Sequence, residues 1–90
     1  MSTTARRVRV EGRVQGVFFR DSCRAEAEAR GVAGWVANEP DGSVSAHLEG
    51  DPEAVAAVIA WCHEGPRHAR VERVAESEAS SEGLAGFEVR

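Results

Sequence analysis

The segment GRVQGVFFR, residues 12–20, lies between a predicted β-strand and a predicted α-helix. On its N-terminal side, apolar and polar residues alternate over residues 7–11, which is typical of a half-buried strand. On its C-terminal side, residues 19–30 are rich in Ala, Glu and Arg and contain no helix breaker, and Gly31 is suited to end the helix as a C-cap. Two stripes of this helix fit a buried face equally well: Phe18, Ser22, Ala25 and Ala29, or Phe19, Cys23 and Ala27.

The middle of the chain predicts a β-hairpin and a second helix. The hairpin spans residues 32–49, with a Pro-Asp-Gly turn at 40–42 and alternating apolar residues on the returning strand. Asp51 is a good N-cap for the helix, and Gly65-Pro66 ends it. One apolar face of this helix repeats at three- and four-residue spacing: Val55, Val58, Ile59 and Cys62.

The last third of the chain predicts one longer and one shorter strand. A strand begins near Ala69, but its alternation slips at Val74, which indicates a bulge or an early end. Residues 76–86 have the composition of a surface loop, and Phe87 and Val89 alternate in a short final strand. The element order β-α-β-β-α-β predicts an α+β, ferredoxin-like split βαβ sandwich. We expect residues 1–90 to form one domain, with an antiparallel sheet and both helices on one of its faces.

Charge and composition limit the class of ligand. The 90 residues carry a formal net charge of −4 and contain no lysine and no tyrosine. The arginines concentrate in the first 24 residues, while the remainder of the chain is acidic. This distribution suits a small anion better than a polyanion such as a nucleic acid, which the acidic part would repel. The polar N-terminus, the two cysteines and the absence of a long apolar run lead us to expect a cytoplasmic protein with free thiols and no membrane segment.

The loop between the first strand and the first helix is a candidate anion site. Backbone N–H groups of a glycine-containing loop that leads into a helix can bind an anion. Gly16, which has no side chain, would allow the anion to come close to the backbone. Arg20 adds a planar, permanently charged group that matches phosphate oxygens. A cation opposes the helix dipole at this position, which a bound anion would offset. The segment therefore predicts a phosphate or carboxylate site.

Three motifs resemble the acylphosphatase family. The string G-x-V-Q-G-V-x-F-R is complete at residues 12–20, and G-W-V-x-N-x-x-D-G-x-V occupies residues 34–44. A weaker match follows at residues 65–71 and at the Phe-Glu-Val-Arg of residues 87–90. Together the motifs cover nearly the whole chain from about Val8, in the family's order. The residues at 37, 39 and 40 are Ala, Glu and Pro, where many relatives are more basic or polar.

The resemblance implies hydrolysis of an acyl phosphate to a carboxylate and inorganic phosphate, without a metal or a cofactor. Arg20 would bind the phosphate through its guanidinium, and Asn38 would orient the attacking water. Backbone N–H groups of the loop would bind the phosphoryl oxygens, which assigns substrate binding to Gln15, Gly16, Val17, Phe18 and Phe19.

Two other functions remain as alternatives at this point. The first is an anion-binding or regulatory module without turnover, which would need the loop but not Asn38. The second, an RNA-binding domain, is disfavoured because the first and fourth predicted strands contain no aromatic residue on which a base could stack, and because the net charge is −4. The three histidines lack metal-ligand spacing, and we expect them, like Trp35 and Trp61, to be packing or solvated residues. We expect a monomer whose partners are the acyl phosphate and its products.

Overall fold

The computed structural model describes residues 2–90. Its elements follow the order β1 (Thr4–Arg13), α1 (Phe19–Ala29), β2 (Ala33–Asn38), β3 (Val44–Gly50), α2 (Pro52–Cys62), β4 (Arg70–Glu78) and β5 (Phe87–Val89). The strands form one sheet in the order β4-β1-β3-β2-β5. The four longer strands pair antiparallel with one another, as predicted. The short β5 instead pairs parallel with β2, so the sheet as a whole is mixed. The predicted α+β ferredoxin-like class is confirmed.

A single hydrophobic core lies between the sheet and the two helices. Helix α1 buries the stripe of Phe19, Cys23 and Ala27, which settles the choice that the sequence left open. Helix α2 buries the four residues predicted from its spacing: Val55, Val58, Ile59 and Cys62. Asp51 caps α2, because its side chain accepts hydrogen bonds from the backbone N–H groups of Glu53 and Ala54.

Several element boundaries differ from the prediction. Strand β1 is longer than residues 7–11, because it is paired on both sides, with β3 and with β4. Helix α1 ends at Ala29, one residue early. Strand β4 does not end at Val74 but continues to Glu78, so residues 76–78 are strand rather than loop. The irregularity in β4 lies at Glu72, two residues before Val74. The pairing of β1 with β4 shifts register between Glu11 and Gly12, which leaves Glu72 as the extra residue of a bulge.

The face of the sheet away from the helices carries two buried ionisable side chains, those of His47 and Glu49. His47 is fully buried there, with its Nε2 2.6 Å from Glu49 Oε2. Glu49 also accepts hydrogen bonds from the hydroxyl of Ser81 and the backbone N–H groups of Glu82 and Leu84. Glu49 therefore fastens the 79–86 segment onto the sheet, immediately before that segment enters β5. His63 and His68 are exposed.

Candidate active site

The β1–α1 loop leaves its backbone donors free. Within residues 2–90, the backbone N–H groups from Gln15 to Asp21 donate to no protein acceptor, and the first to do so is that of Ser22, which donates to Phe18 O at 3.1 Å. No side chain caps the helix, since the N-cap position is occupied by Phe18. Unsatisfied N–H groups at a helix start are suited to bind an anion.

Two residues give the loop its path. Gly16 has a φ of 75°, a conformation that glycine adopts without steric cost. Phe18 has a φ of 63°, and it is the one non-glycine residue among those described with a positive φ. Phe18 is 77% exposed, so packing does not account for the strained conformation. Such strain is typical of a functional loop.

A cavity of about 290 Å³ lies at this loop. Seven residues line it: Val14, Gly16, Phe18, Phe19, Arg20, Asp21 and Asn38. The structure therefore brings Arg20, on the first turn of α1, and Asn38, the last residue of β2, to the same cavity. The orientation of the Arg20 guanidinium is restricted by a hydrogen bond, because its Nη1 donates to the backbone oxygen of Arg90 at 2.9 Å.

The remaining predicted site residues have different surroundings. Phe19 is buried and its ring lies 5.1 Å from that of Trp61, so only its backbone is available to a ligand. Val17 is buried, and it lines a neighbouring hollow with Arg13 and His68. Gln15 does not line the cavity: its side-chain amide donates to the backbone oxygens of Glu39 and Ser43.

Sequence reasoning missed three features of this region. Asp21 lines the cavity, and its position directly after Arg20, the last residue of the motif, was the available signal. Arg90 contacts Arg20 across 70 residues, and no sequence spacing indicates such a contact. The Gln15 side chain reaches the β2–β3 turn, whereas the motif suggested a role for its backbone alone.

Two further findings concern the described residues as a whole. No helix in residues 2–90 combines the length and the apolar character that crossing a membrane requires. The same residues contain no group of three or more His, Cys, Asp or Glu side chains placed to hold a metal ion.

The fold and the cavity together define a small α+β domain with a cavity and unpaired backbone N–H groups at the start of its first helix. The Acylphosphatase family model matches residues 6–89. An acylphosphatase of Rubrobacter xylanophilus is 62% identical over 85 residues, covering 93% of this chain and 77% of the relative. An acylphosphatase of Thermococcus kodakarensis is 56% identical over 82 residues, covering 91% of this chain and 90% of the relative.

Solved structures agree with the sequence comparison. An acylphosphatase from Coxiella burnetii superposes with a TM-score of 0.94 at 39% identity, covering 98% of this chain and 93% of that one. The acylphosphatase from Bacillus subtilis gives a TM-score of 0.93 at 34% identity, with 99% of both chains covered. This chain belongs to the acylphosphatase family. It is an enzyme, and its reaction is the hydrolysis of acyl phosphates.

Proposed function

We propose that this chain hydrolyses acyl phosphates in the cavity between the β1–α1 loop and Asn38. The main support is that Arg20 and Asn38 line the same cavity. The loop beside them has backbone N–H groups with no protein acceptor. An anion-binding module would need only the loop and the arginine. Nothing in the fold or the site favours that alternative.

The phosphoryl group is bound by the backbone N–H groups of Gly16 to Arg20 and by the guanidinium of Arg20. Phosphoryl transfer depends mainly on positioning and on stabilising charge at the equatorial oxygens. Donors that are already oriented provide this stabilisation without reorganisation during the reaction. The contact of Arg20 with the backbone of Arg90 supports this role, because it restricts the guanidinium before substrate binds.

Asn38 orients the nucleophilic water. Its amide oxygen accepts a hydrogen bond from the water, which then attacks phosphorus in line with the acyl oxygen. The new P–O bond forms as the bond between phosphorus and the acyl oxygen breaks. The electron pair leaves with the carboxylate, and the proton from the water passes to phosphate or solvent. A carboxylate departs without protonation, so the reaction needs neither a general acid nor a metal.

The test is hydrolysis of benzoyl phosphate in ¹⁸O-labelled water with EDTA present. We expect turnover that persists in EDTA, with label in inorganic phosphate and none in benzoate. The Arg20→Ala variant, prepared in the same way, measures the background. No turnover above that background would indicate an anion-binding module, and label in benzoate would place the attack at the acyl carbon instead of phosphorus.

We also propose that residues 1–90 act as a single-domain, cytoplasmic monomer. One hydrophobic core serves both helices and the sheet. Among the described residues, Phe18 is the one large hydrophobic side chain that is exposed, so the surface lacks the apolar patch of a stable dimer. Both cysteines are free and buried, as expected in a reducing compartment. Light scattering at micromolar concentration tests the monomer directly, since a dimer would double the mass.

A further inference from the structure

The side chain of Gln15 connects the two halves of the site. Its Nε2 donates to Glu39 O at 2.8 Å and to Ser43 O at 2.9 Å. Gln15 belongs to the loop that leads to Arg20, while Glu39 and Ser43 belong to the turn between β2 and β3. Glu39 directly follows Asn38, so the amide of Gln15 fixes the backbone next to the proposed water-orienting residue.

The turn is closed without help from Gln15. The N–H of Glu39 donates to Ser43 O at 2.8 Å, and the N–H of Gly42 donates to Glu39 O at 3.1 Å. Asp41 accepts two more hydrogen bonds from Ser43, from its N–H at 2.9 Å and from its hydroxyl at 2.6 Å. Both carbonyls contacted by Gln15 therefore keep a backbone partner when its amide is removed, and no buried acceptor is left unsatisfied.

We propose that Gln15 is a positioning residue that sets the distance between Asn38 and the phosphate-binding loop. This inference rests on the function proposed above. The loop connects β1 to α1 and the turn connects β2 to β3, and the Gln15 amide joins them at Glu39, the residue that follows Asn38. In-line attack is sensitive to geometry, since a displacement of about 1 Å between reacting groups can cost on the order of 10²-fold in rate. Gln15 thus acts on the rate through Asn38, while phosphate binding depends on the loop and Arg20.

Two variants test this role. Gln15→Leu keeps most of the side-chain volume but removes both donors. Gln15→Glu keeps the shape and places a carboxylate against two carbonyl oxygens; when protonated, it regains one O–H donor. A matched control is Arg9→Ala, which removes an exposed ion pair between β1 and Asp41 of the same turn. Exposed pairs of this kind contribute little, so the control should behave as wild type.

For each protein, kcat and KM for benzoyl phosphate, the inhibition constant of inorganic phosphate and Tm are measured. We expect Gln15→Leu to lose roughly 10- to 100-fold in kcat, with the phosphate inhibition constant changed by less than about threefold. We expect the kcat of Gln15→Glu, relative to wild type, to rise as the pH falls and its carboxyl group is protonated. If Gln15 served folding alone, the variants would have a lower Tm, and the kcat of Gln15→Glu would not recover at low pH.

Two results would overturn the inference. One is a Gln15→Leu variant with wild-type kcat, and the other is a loss of kcat matched by an equal loss of phosphate binding. In both cases the wild-type protein would still hydrolyse benzoyl phosphate, so the proposed function would stand. A wild-type protein that binds phosphate without any turnover would overturn the proposed function and this inference together.

Discussion

The guanidinium of Arg20 is held by the backbone oxygen of Arg90, which accepts a hydrogen bond from Nη1 at 2.9 Å. Arg90 is itself fixed, because its N–H donates to Val36 O at 2.8 Å and its guanidinium lies 4.8 Å from the centroid of the Trp35 ring. The proposed phosphate-binding arginine is therefore oriented by β2 and by the segment that follows β5. Its remaining N–H groups stay available for a ligand.

Replacing Arg20 should weaken phosphate binding and turnover together. We expect Arg20→Ala to raise the inhibition constant of phosphate by about 10- to 100-fold, since a charge-assisted hydrogen bond contributes about 1.5–3 kcal/mol. Arg20→Lys should recover only part of this loss, because an ammonium group lacks the planar pair of donors. Inhibition kinetics with inorganic phosphate measure the effect. Arg24→Ala, one turn along the same helix, is the control, and an equal effect there would mean that only general charge matters.

Phe18 offers a gain in stability. Its left-handed conformation costs roughly 1 kcal/mol for a residue with a Cβ, and it leaves the start of α1 without a side-chain cap. Asparagine tolerates the left-handed conformation better than other residues that carry a Cβ, so we expect Phe18→Asn to stabilise the fold by about 1 kcal/mol. For a domain of this size that is a rise in Tm of about 4–8 °C. Phe18→Ala, which retains the strain, should show no such rise; equal Tm values for the two variants would refute the explanation.

Glu49 makes stability depend on pH in the acid range. Burial alone would raise the pKa of Glu49, but hydrogen bonds from Glu82, His47, Leu84 and Ser81 outweigh it and lower the pKa from 4.5 to about 2. The stabilisation is complete above pH 4.5, and it is lost as the pH falls toward 2, because protonation neutralises the charge that these hydrogen bonds stabilise.

The matched variant for this prediction is Glu49→Gln. At pH 7 we expect it to be less stable than wild type by about 2 kcal/mol. Near pH 2 the difference should have largely disappeared. Urea unfolding at the two pH values measures it, and a constant difference would show that the charge of Glu49 is not responsible.

Cys23 and Cys62 should be unreactive in the folded protein. Both are fully buried between α1 and α2. A hydrogen bond with Cys62 and burial raise the pKa of the Cys23 thiol, which keeps it protonated at neutral pH. We expect a disulfide reagent to label neither cysteine at pH 7 in the native state and both after unfolding in urea. Rapid labelling of the native protein would contradict this packing.

Most of the fold could be predicted because caps, turns and apolar faces are each encoded by residues that are close together in the sequence. Short-range spacing was enough to predict the cap of α2 at Asp51, the apolar face of α2 and the Pro-Asp-Gly turn between β2 and β3. The buried stripe of α1 was left open because alanines occupy several of its faces. Packing against the sheet settles that choice, since Phe19 fits between the core and the ring of Trp61.

Long-range contacts explain what the sequence did not predict. The parallel pairing of β5 depends on where the 79–86 segment crosses the sheet, and this in turn depends on its hydrogen bonds to Glu49. The motifs identified Arg20 and Asn38 as candidates, and the structure places both at one cavity. Their supporting contacts, from Arg90 and Gln15, join residues far apart in the chain.

The Asn38→Ala variant separates water orientation from phosphate binding. We expect its kcat for benzoyl phosphate to fall by about 10²–10³-fold, the usual cost of losing one oriented polar group. The inhibition constant of inorganic phosphate should stay within about threefold of wild type, because the loop and Arg20 are intact. A loss of phosphate binding as large as that of Arg20→Ala, or a kcat equal to that of wild type, would contradict the role of Asn38 in orienting the water.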